Sequence, residues 1–464
     1  MLKGGDDPII FHIELDINKQ YVEAKAISIS VICSYESTNN TIENCEKALS
    51  VRFYSESEYE PFDNPYNAGD TVENRDMFFG RDAFISNLVN VMKSSKSKQL
   101  VFYGQKRSGK SSVLYWLENE LKNSGAFCVR FSLGILRSGG DISSASFFYL
   151  ILKNIHRALR RIQGEKPDFT IPTPTEFEAE NPTNPGLSFA SYMIAFKDAC
   201  KETPGWENKL VVIMIDEFTY LYTGIKQGTV NPTILQQWKS VIQDPDSSFA
   251  SVLVGQDVIP YFKNEVYAKN VFQMMEAFRL NYLDEVDARA LVESPIGKDR
   301  YASGAVETIL DFSACNPYYI QLICSNLVGD MNKKHSMVAT KADVDVTANK
   351  IISSMDQADF DNLISPGDAI EIEGISEKTL VAVLYRIAIL TKSDEFCSET
   401  SIAHFFKDEL LENELELVRK VLDNLKAREV IEDKAGLYRI KVKLFQQWLQ
   451  NQSPELASIK EHAL

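Results

Sequence analysis

Hydrophobic positions follow two different periods along the chain, and the change from one to the other indicates how the chain is organised. Residues 8–60 alternate apolar and polar side chains in short runs such as "EAKAISISVICSY", which is typical of half-exposed β-strands. From residue 62 to about residue 285, short apolar runs alternate with longer segments of helical spacing. We therefore predict a small N-terminal β-module of two or three hairpins over residues 1–61. Over residues 62–285 we predict a parallel sheet covered by helices.

The second half of the chain is dominated by helical spacing. Residues 286–360 predict a helical lid, and residues 371–452 predict a second helical unit with a short hairpin near its end. The stretch "DFDNLISPGDAIEIEG" between them is predicted to be a linker. Residues 164–187 contain five prolines, which favours a long surface insertion. The strand candidates of the α/β domain lie at residues 99–103, 126–132, 210–215, 249–254 and 278–282.

The first of these strand candidates runs into a turn bracketed by glycines. Residues 104–111, "GQKRSGKS", match the pattern G-x-x-x-x-G-K-[ST] of a phosphate-binding loop. In such a loop the backbone N–H groups point inward, and the following helix adds the dipole of its N-terminus. Lys110 would neutralise the outer phosphates, and the Ser111 hydroxyl would hold Mg²⁺. A chance match is the alternative, but the strand before the turn and the helix after it favour a nucleotide site. The candidate binding residues are Gly104, Gln105, Lys106, Arg107, Ser108, Gly109, Lys110, Ser111 and Ser112.

A second strand candidate ends in two acidic residues. Residues 210–215 are apolar on both faces, as in a central parallel strand, and Asp216 and Glu217 follow them. Open α/β sheets bind ligands at the carboxyl ends of their strands, so Asp216 would hold Mg²⁺, directly or through water. Glu217 would orient and deprotonate the attacking water. Gln256, after the strand at 249–254, would sense the terminal phosphate, with an ordinary turn as the alternative. Lys110, Glu217 and Gln256 are thus the candidate catalytic residues.

Composition narrows the function classes. The chain has 464 residues, of which 44% are hydrophobic and 25% are charged, and these ordinary globular values argue against disorder. A net charge of −16 argues against a general polyanion binder. The seven cysteines are scattered and form no C-x-x-C pair, so we expect a reducing cytoplasm and neither a disulfide framework nor a zinc site. No stretch approaches the roughly 18 apolar residues of a spanning helix, so no membrane partner is expected.

Together the motifs resemble those of the prokaryotic branch of the STAND class, which are AAA+-related P-loop ATPases that act in signal transduction. "GQKRSGKSS" and "MIDEF" resemble the Walker A and Walker B elements, and "NPYNAGDTVENRDMFFGRD" resembles the lead-in to the ATPase core. "SACNPYYIQLIC" resembles the Gly-x-Pro segment of the lid, with Cys315 in place of the glycine. "LVRKVLDNLKAREVIEDKAGLYRIKVKLFQQWL" resembles the last helix and wing of a C-terminal winged helix. The resemblance covers about residues 62–450 and implies ATP or ADP with Mg²⁺ as cofactors.

The resemblance also implies a topology and further contacts. The AAA+-like sheet would have the strand order 5-1-4-3-2, which places strand 4 between the strand before the phosphate loop and the strand before Asp216. Phe79, Gly80 and Arg81 would pack near the adenine, and Pro317 would lie close to the nucleotide. Ring-forming relatives supply an arginine before the fifth strand, but residues 256–278 contain none. Because such an arginine is worth roughly 10³–10⁵ in rate, its absence favours slow hydrolysis.

Three functions remain open. The first is an ATP-binding, slowly hydrolysing STAND-type switch, as in bacterial stress or antiphage defence. Its packing or oligomeric state would change with nucleotide, and its partners would be further copies or an effector protein. The alternative is a DNA-associated AAA+ ATPase of the replication-initiator or transposition-helper type, which the acidic balance disfavours. The third, a scaffold with a degenerate site, is disfavoured because the Walker residues are all present.

Two basic stretches bear on the DNA-associated alternative, but both have a simpler interpretation. Arg439, Lys441 and Lys443 alternate along the predicted wing, where a solvated strand face is favoured over DNA contact. The helix end "HRALRRIQ", at residues 156–163, is interpreted as cations that complement the helix dipole.

Overall fold

A computed structural model divides the chain into two compact units. One consists of Met1–Asp63 with Asp330–Met337, and the other of Asn64–Gly329 with Val338–Leu464. The structure describes residues 26–36, 42–52, 59–134, 142–365, 375–391, 395–404 and 412–452.

The first unit contains an antiparallel strand pair. Strand β1 (Ala26–Glu36) pairs with β2 (Ile42–Arg52) in a register that sets Ala26 opposite Arg52 and Glu36 opposite Ile42. Alternating apolar and polar residues predicted these strands. The strand expected at residues 8–17 lies outside the described residues.

The second unit is built on a parallel sheet. Its hydrogen-bonded order is β4-β5-β6-β3-β7, which is the predicted order 5-1-4-3-2 when the five strands are numbered along the chain. The predicted α/β fold class with this order is therefore confirmed. The last strand ends at Arg279 rather than continuing to residue 282. The strands are β3 (Gln99–Tyr103), β4 (Phe127–Ser132), β5 (Val211–Asp216), β6 (Ala250–Gly255) and β7 (Glu276–Arg279).

Helices cover both faces of this sheet, as a parallel sheet requires. Successive strand residues point to opposite faces, so Val101 enters one hydrophobic cluster while Leu100 and Phe102 enter the other. Within the described residues, no helix is both long and apolar enough to cross a bilayer. The helices are α1 (Asp82–Lys93), α2 (Lys110–Asn123), α3 (Ser144–Arg160), α4 (Pro174–Glu180), α5 (Pro185–Glu202), α6 (Tyr220–Lys226), α7 (Thr233–Gln243), α8 (Ile259–Phe262), α9 (Lys269–Phe272), α10 (Glu285–Glu293), α11 (Ala305–Ser313), α12 (Pro317–Lys334), α13 (Lys341–Ser354), α14 (Asp361–Ile364), α15 (Glu377–Leu390), α16 (Glu399–Ala403), α17 (Glu412–Ala427) and α18 (Lys443–Gln450).

Most residues of the proline-rich stretch 164–187 are exposed, as its composition predicts, but two aromatic side chains anchor the stretch to the core. Phe169 and Phe177 are buried in the hydrophobic cluster on one face of the sheet. Two of the prolines, Pro174 and Pro185, lie in the first turns of α4 and α5, where the missing N–H costs nothing. Thr173 completes a capping box at the start of α4. The prolines therefore mark helix starts as well as turns.

The C-terminal part combines helices with a small antiparallel sheet. Strands β8 (Cys397–Ser398), β9 (Ile431–Lys434) and β10 (Leu437–Ile440) pair in the order β8-β10-β9. The helices around it are α15 to α18, and we refer to residues 375–452 as the C-terminal module. The first part of the predicted linker is ordered, because Phe360 is buried and packs on Phe445 and Trp448 of α18. Residues 366–374 lie outside the described residues.

The turn between α11 and α12 has a left-handed backbone without glycine. Ala314 ends α11 with φ of +51°, and Cys315 follows with φ of +61°. A Cβ makes this region unfavourable, by about 1–2 kcal/mol per residue. Cys315 replaces the glycine expected from the resemblance to a Gly-x-Pro segment. A positive φ at this position is the physical reason to expect glycine there.

Replacing Ala314 with glycine should stabilise the second unit by about 0.5–1 kcal/mol, since the relief of left-handed strain exceeds the added entropy of the unfolded chain. Urea or thermal unfolding followed by circular dichroism measures the change. Ala314→Ser retains the Cβ and should leave the midpoint nearly unchanged. A midpoint that falls in Ala314→Gly would contradict this account of the turn.

Candidate functional site

The phosphate-loop sequence forms a tight turn between β3 and α2. Gly104 lies against the end of the sheet, where an added Cβ would come within 2.5 Å of the Leu280 carbonyl oxygen. Gly109 adopts φ of +90° just before α2 begins at Lys110. Both positions therefore require glycine, and the N-terminus of α2 points at the space that the loop encloses.

Lys110 fills that space with its own ammonium group. Its Nζ donates hydrogen bonds to the carbonyl oxygens of Gly104, at 3.0 Å, and Gln105, at 2.6 Å. Burial lowers the pKa of Lys110 to about 8, while Asp257 and then Asp216 favour the charged form. The lysine is thus held in the loop and is close to its titration range at neutral pH.

Ser111, in the first turn of α2, lies beside Asp216 at the end of β5. The Ser111 hydroxyl donates to a carboxylate oxygen of Asp216 at 3.2 Å, and the other Asp216 oxygen accepts the Glu217 backbone N–H at 2.8 Å. Burial raises the pKa of Asp216, although the Glu217 N–H and Lys110 oppose this. A hydroxyl beside a carboxylate is a donor set that suits Mg²⁺, which prefers oxygen ligands and keeps several waters.

Glu217 lies just beyond β5, with φ of +57°. The Ser132 hydroxyl, at the end of β4, donates to one Glu217 oxygen, and the Tyr220 hydroxyl donates to the other at 3.2 Å. Ser132 also accepts the Gly134 N–H at 2.9 Å. The sequence analysis missed Ser132 and Tyr220. The position of Ser132 at the carboxyl end of a strand was the available signal.

Of these groups, Lys110, Ser111, Asp216, Glu217 and Tyr220 border one cavity of about 310 Å³. Gln256 also lines it, beyond the end of β6. Of the residues predicted to lie near a nucleotide, Gly80, Gly104 and Gln105 are not among those that line it. The predicted residues that do line it are Phe79, Arg81, Lys106, Arg107, Ser108, Gly109, Lys110, Ser111, Ser112, Asp216, Glu217, Gln256 and Pro317.

Apolar side chains also line the cavity. They include Val72, Met77, Phe78 and Leu291. Arg81, by contrast, is buried and donates to the Asn281 carbonyl oxygen at 2.8 Å. Burial lowers the pKa of Arg81 to about 10. The cavity lining therefore combines cationic and polar groups with apolar side chains, and a nucleotide needs both kinds of contact.

Two side chains near the loop contact the C-terminal module instead of the cavity. The Gln105 amide donates to the Arg428 carbonyl oxygen and accepts from the Tyr282 hydroxyl. Arg279 bridges Asp257, at 3.4 Å, and Glu429, at 2.9 Å. Gln105 was predicted to contact the phosphates. Its contact with Arg428 and the contact of Arg279 with Glu429 could not be predicted from sequence, because each joins residues more than 100 positions apart.

No protein-family model matches the chain, and no curated protein matches it. Among solved structures, it is similar to the Walker-type ATPase PABY2304 of Pyrococcus abyssi, with a TM-score of 0.52 at 14% identity, over 81% of this chain and 97% of that one. The ORC2 protein of Aeropyrum pernix, in ADPNP–ADP complexes, has a TM-score of 0.49 at 12% identity, over 85% and 98% of the two chains. The first likeness shows the fold, which is that of a Walker-type ATPase.

Affinity for a nucleotide should fall as the pH rises above 8. Only the protonated Lys110 attracts phosphate, and burial lowers the pKa of Lys110 to about 8. Nucleotide affinity should therefore be at its maximum below pH 8. Above it, each pH unit should weaken binding by up to about tenfold. Isothermal titration calorimetry with ADP between pH 6.5 and 9.5 measures this dependence. Lys110→Arg stays charged throughout and should not show the decline; a constant wild-type affinity to pH 9.5 would contradict the role of Lys110.

Proposed function

We propose that the chain binds ATP and ADP in this cavity and hydrolyses ATP slowly. The observation that carries the proposal is the convergence of Lys110, Ser111, Asp216 and Glu217 on one cavity at the carboxyl ends of β3 and β5. The AAA+-type P-loop fold supports it. A chance loop match would not bring the acidic residues of a distant strand into contact with the loop serine.

Each residue has a role that its position permits. Lys110 would leave the two loop carbonyls and contact the outer phosphates, where the α2 N-terminus adds a favourable dipole. Ser111 and Asp216 would hold Mg²⁺, which would neutralise charge on the phosphates when bound. Glu217 would accept the proton of the attacking water. Because Ser132 and Tyr220 both donate to Glu217, its carboxylate is oriented but partly occupied in this arrangement.

The finer proposal concerns what nucleotide binding changes. We infer four domains, with the N-terminal module at residues 1–61, the ATPase core at 62–285, the lid at 286–360 and a winged helix at 371–452. The C-terminal module contacts the phosphate loop through Gln105 and Arg428. A nucleotide that alters the loop would therefore alter the packing of the module, as expected of a STAND-type switch in signalling or defence. Self-association or an effector protein would read out that change.

Lys110→Ala should abolish nucleotide binding and any change of sedimentation size with ATP or ADP.

Glu217→Gln should retain binding but lose about 10²–10⁴ in hydrolysis rate, because the general base is removed while the shape of the side chain near the phosphates is kept. Ser132→Ala should raise the basal rate, since one oxygen of Glu217 is released. Calorimetry, phosphate release and analytical ultracentrifugation measure these effects. If Lys110→Ala binds ATP and ADP as tightly as wild type, the proposal is wrong.

A DNA-associated ATPase is the second candidate function. The observation that favours it in this chain is a groove of about 540 Å³ at the opposite end of the sheet. Its lining combines five basic residues with two acidic ones, in a chain of net charge −16. The basic residues are Lys122, Arg130, Arg157, Arg161 and Lys209.

The predicted wing offers less to DNA than this groove. Arg439 pairs with Glu432 at 2.8 Å, Lys441 lies 3.8 Å from Glu429, and Lys443 pairs with Asp311 at 2.6 Å. These cations are thus already balanced by acids of the same chain. In the groove, Glu118 pairs with both Lys122 and Arg130 at 2.6 Å, but the described residues offer no ion pair to Arg157, Arg161 or Lys209. The groove is therefore the better candidate for phosphate contacts.

The double variant Arg157→Glu/Arg161→Glu should weaken binding to a 30-base-pair duplex about tenfold or more at low salt and reduce the steepness of the salt dependence. Fluorescence anisotropy at 50 and 200 mM NaCl measures both quantities. The matched control Lys153→Glu/Lys239→Glu changes the net charge equally outside the groove and should have a smaller effect. Wild-type protein that does not bind DNA at 50 mM NaCl, with or without ATP, would eliminate this candidate.

A further inference from the structure

The rim of the phosphate loop carries two cations beyond Lys110, and both are engaged by one neighbouring segment. Lys106 Nζ lies 2.8 Å from a carboxylate oxygen of Asp361. Arg107 donates to the backbone carbonyl of Asp359, and its guanidinium carbon lies 4.4 Å from the centre of the Tyr318 ring. Lys106 and Arg107 also line the cavity. An acidic segment therefore competes for the same cations that face a bound nucleotide.

Buried contacts fix Asp361 in place. It begins the short helix α14, whose next three residues are buried. Arg428 is fully buried and donates to the carbonyl oxygens of Leu363, at 2.8 Å, and Ile364, at 3.1 Å. The carbonyl oxygen of Arg428 in turn accepts the amide of Gln105. One residue of the C-terminal module thus holds both the loop and the segment that carries Asp361.

We propose that Asp361 is a specificity-determining residue that makes the cavity favour a nucleoside diphosphate over a triphosphate. A triphosphate brings one more phosphate group, with additional negative charge, to a rim where Lys106 is already paired with a carboxylate. The additional phosphate must either share Lys106 with Asp361 or displace Asp361 from it. In both cases the Asp361 carboxylate repels the phosphate. This inference rests on the proposed function, because it requires that the cavity bind nucleotides.

The same contact makes the effect reciprocal. If Asp361 weakens triphosphate binding, then bound triphosphate weakens the hold of Asp361 on Lys106 by the same factor. A diphosphate leaves the pair intact. The contact between the loop and the segment at residues 359–361 would therefore be tighter with ADP than with ATP, and Arg428 connects that segment to the C-terminal module.

The expected effect is moderate. The Lys106 and Asp361 side chains are 47% and 41% exposed, and exposed ion pairs are worth little because water screens them. We therefore expect a two- to fivefold change in the ratio of the two dissociation constants when Asp361 loses its charge. Added salt should reduce the change, since the interaction is electrostatic.

The test measures the dissociation constants of ADP and of the β,γ-imido analogue of ATP by calorimetry on the full chain, with Mg²⁺, at 50 and 500 mM NaCl. Asp361→Asn should lower the ratio of the analogue constant to the ADP constant about two- to fivefold at 50 mM NaCl, and by less at 500 mM. Lys106→Met should raise the ratio, because the terminal phosphate loses its cation. A purely structural role would not move the two variants in opposite directions.

Asp311→Asn is the matched control. It removes a similarly short ion pair elsewhere, between Asp311 of α11 and Lys443 of the C-terminal module at 2.6 Å, and neither of its residues lines the cavity. Its ratio should equal that of wild type. An unchanged ratio in Asp361→Asn, or an equal shift in Asp311→Asn, overturns the inference. If wild type binds neither nucleotide, or Lys110→Ala binds both as wild type does, the proposed function fails and this inference fails with it.

Discussion

The site depends on one geometric constraint, the parallel pairing that places β6 between β3 and β5. Because all three strands run in the same direction, their carboxyl ends meet at one edge, and the loop after β3 faces the acids after β5. The Ser111–Asp216 hydrogen bond of 3.2 Å is the direct result. This edge of the sheet also positions the cavity, Glu217 beside Ser132, and the contacts to the C-terminal module.

Much of the fold follows from the sequence, because the strands and helices of the second unit have strong periodic patterns. The strand order came from the resemblance and is confirmed, whereas period alone does not distinguish one order from another. The proline-rich stretch shows what composition leaves undetermined. Proline favours turns and helix starts equally, so the helices that begin at Pro174 and Pro185 and the burial of Phe169 and Phe177 could not be predicted from it. The order at the start of the predicted linker could not be predicted for a related reason. Phe360 is buried against Phe445 and Trp448, which lie more than 80 residues away in sequence.

The candidate site could be predicted where a motif is local and could not where it is assembled from distant segments. Residues 104–111 predict a phosphate-binding loop because both glycines and the lysine lie within one eight-residue motif. Ser132, Asp257 and Arg428 belong to no such motif, yet each is close to the loop or to the acid that acts with it. Their side chains are common types whose importance lies in tertiary contacts. The sequence therefore predicts the chemistry of the cavity better than the surroundings that control it.

The hydrogen bonds from Lys110 to the carbonyl oxygens of Gly104 and Gln105 affect which anions can occupy the loop. An entering anion must replace both bonds, and it must also favour the charged form of an amine that burial has made easier to deprotonate. A small inorganic ion such as chloride or sulfate offers few additional contacts in return. A ligand that also contacts the apolar side chains of the cavity can offset that cost. The carbonyl contacts of Lys110 therefore favour such ligands over small inorganic anions.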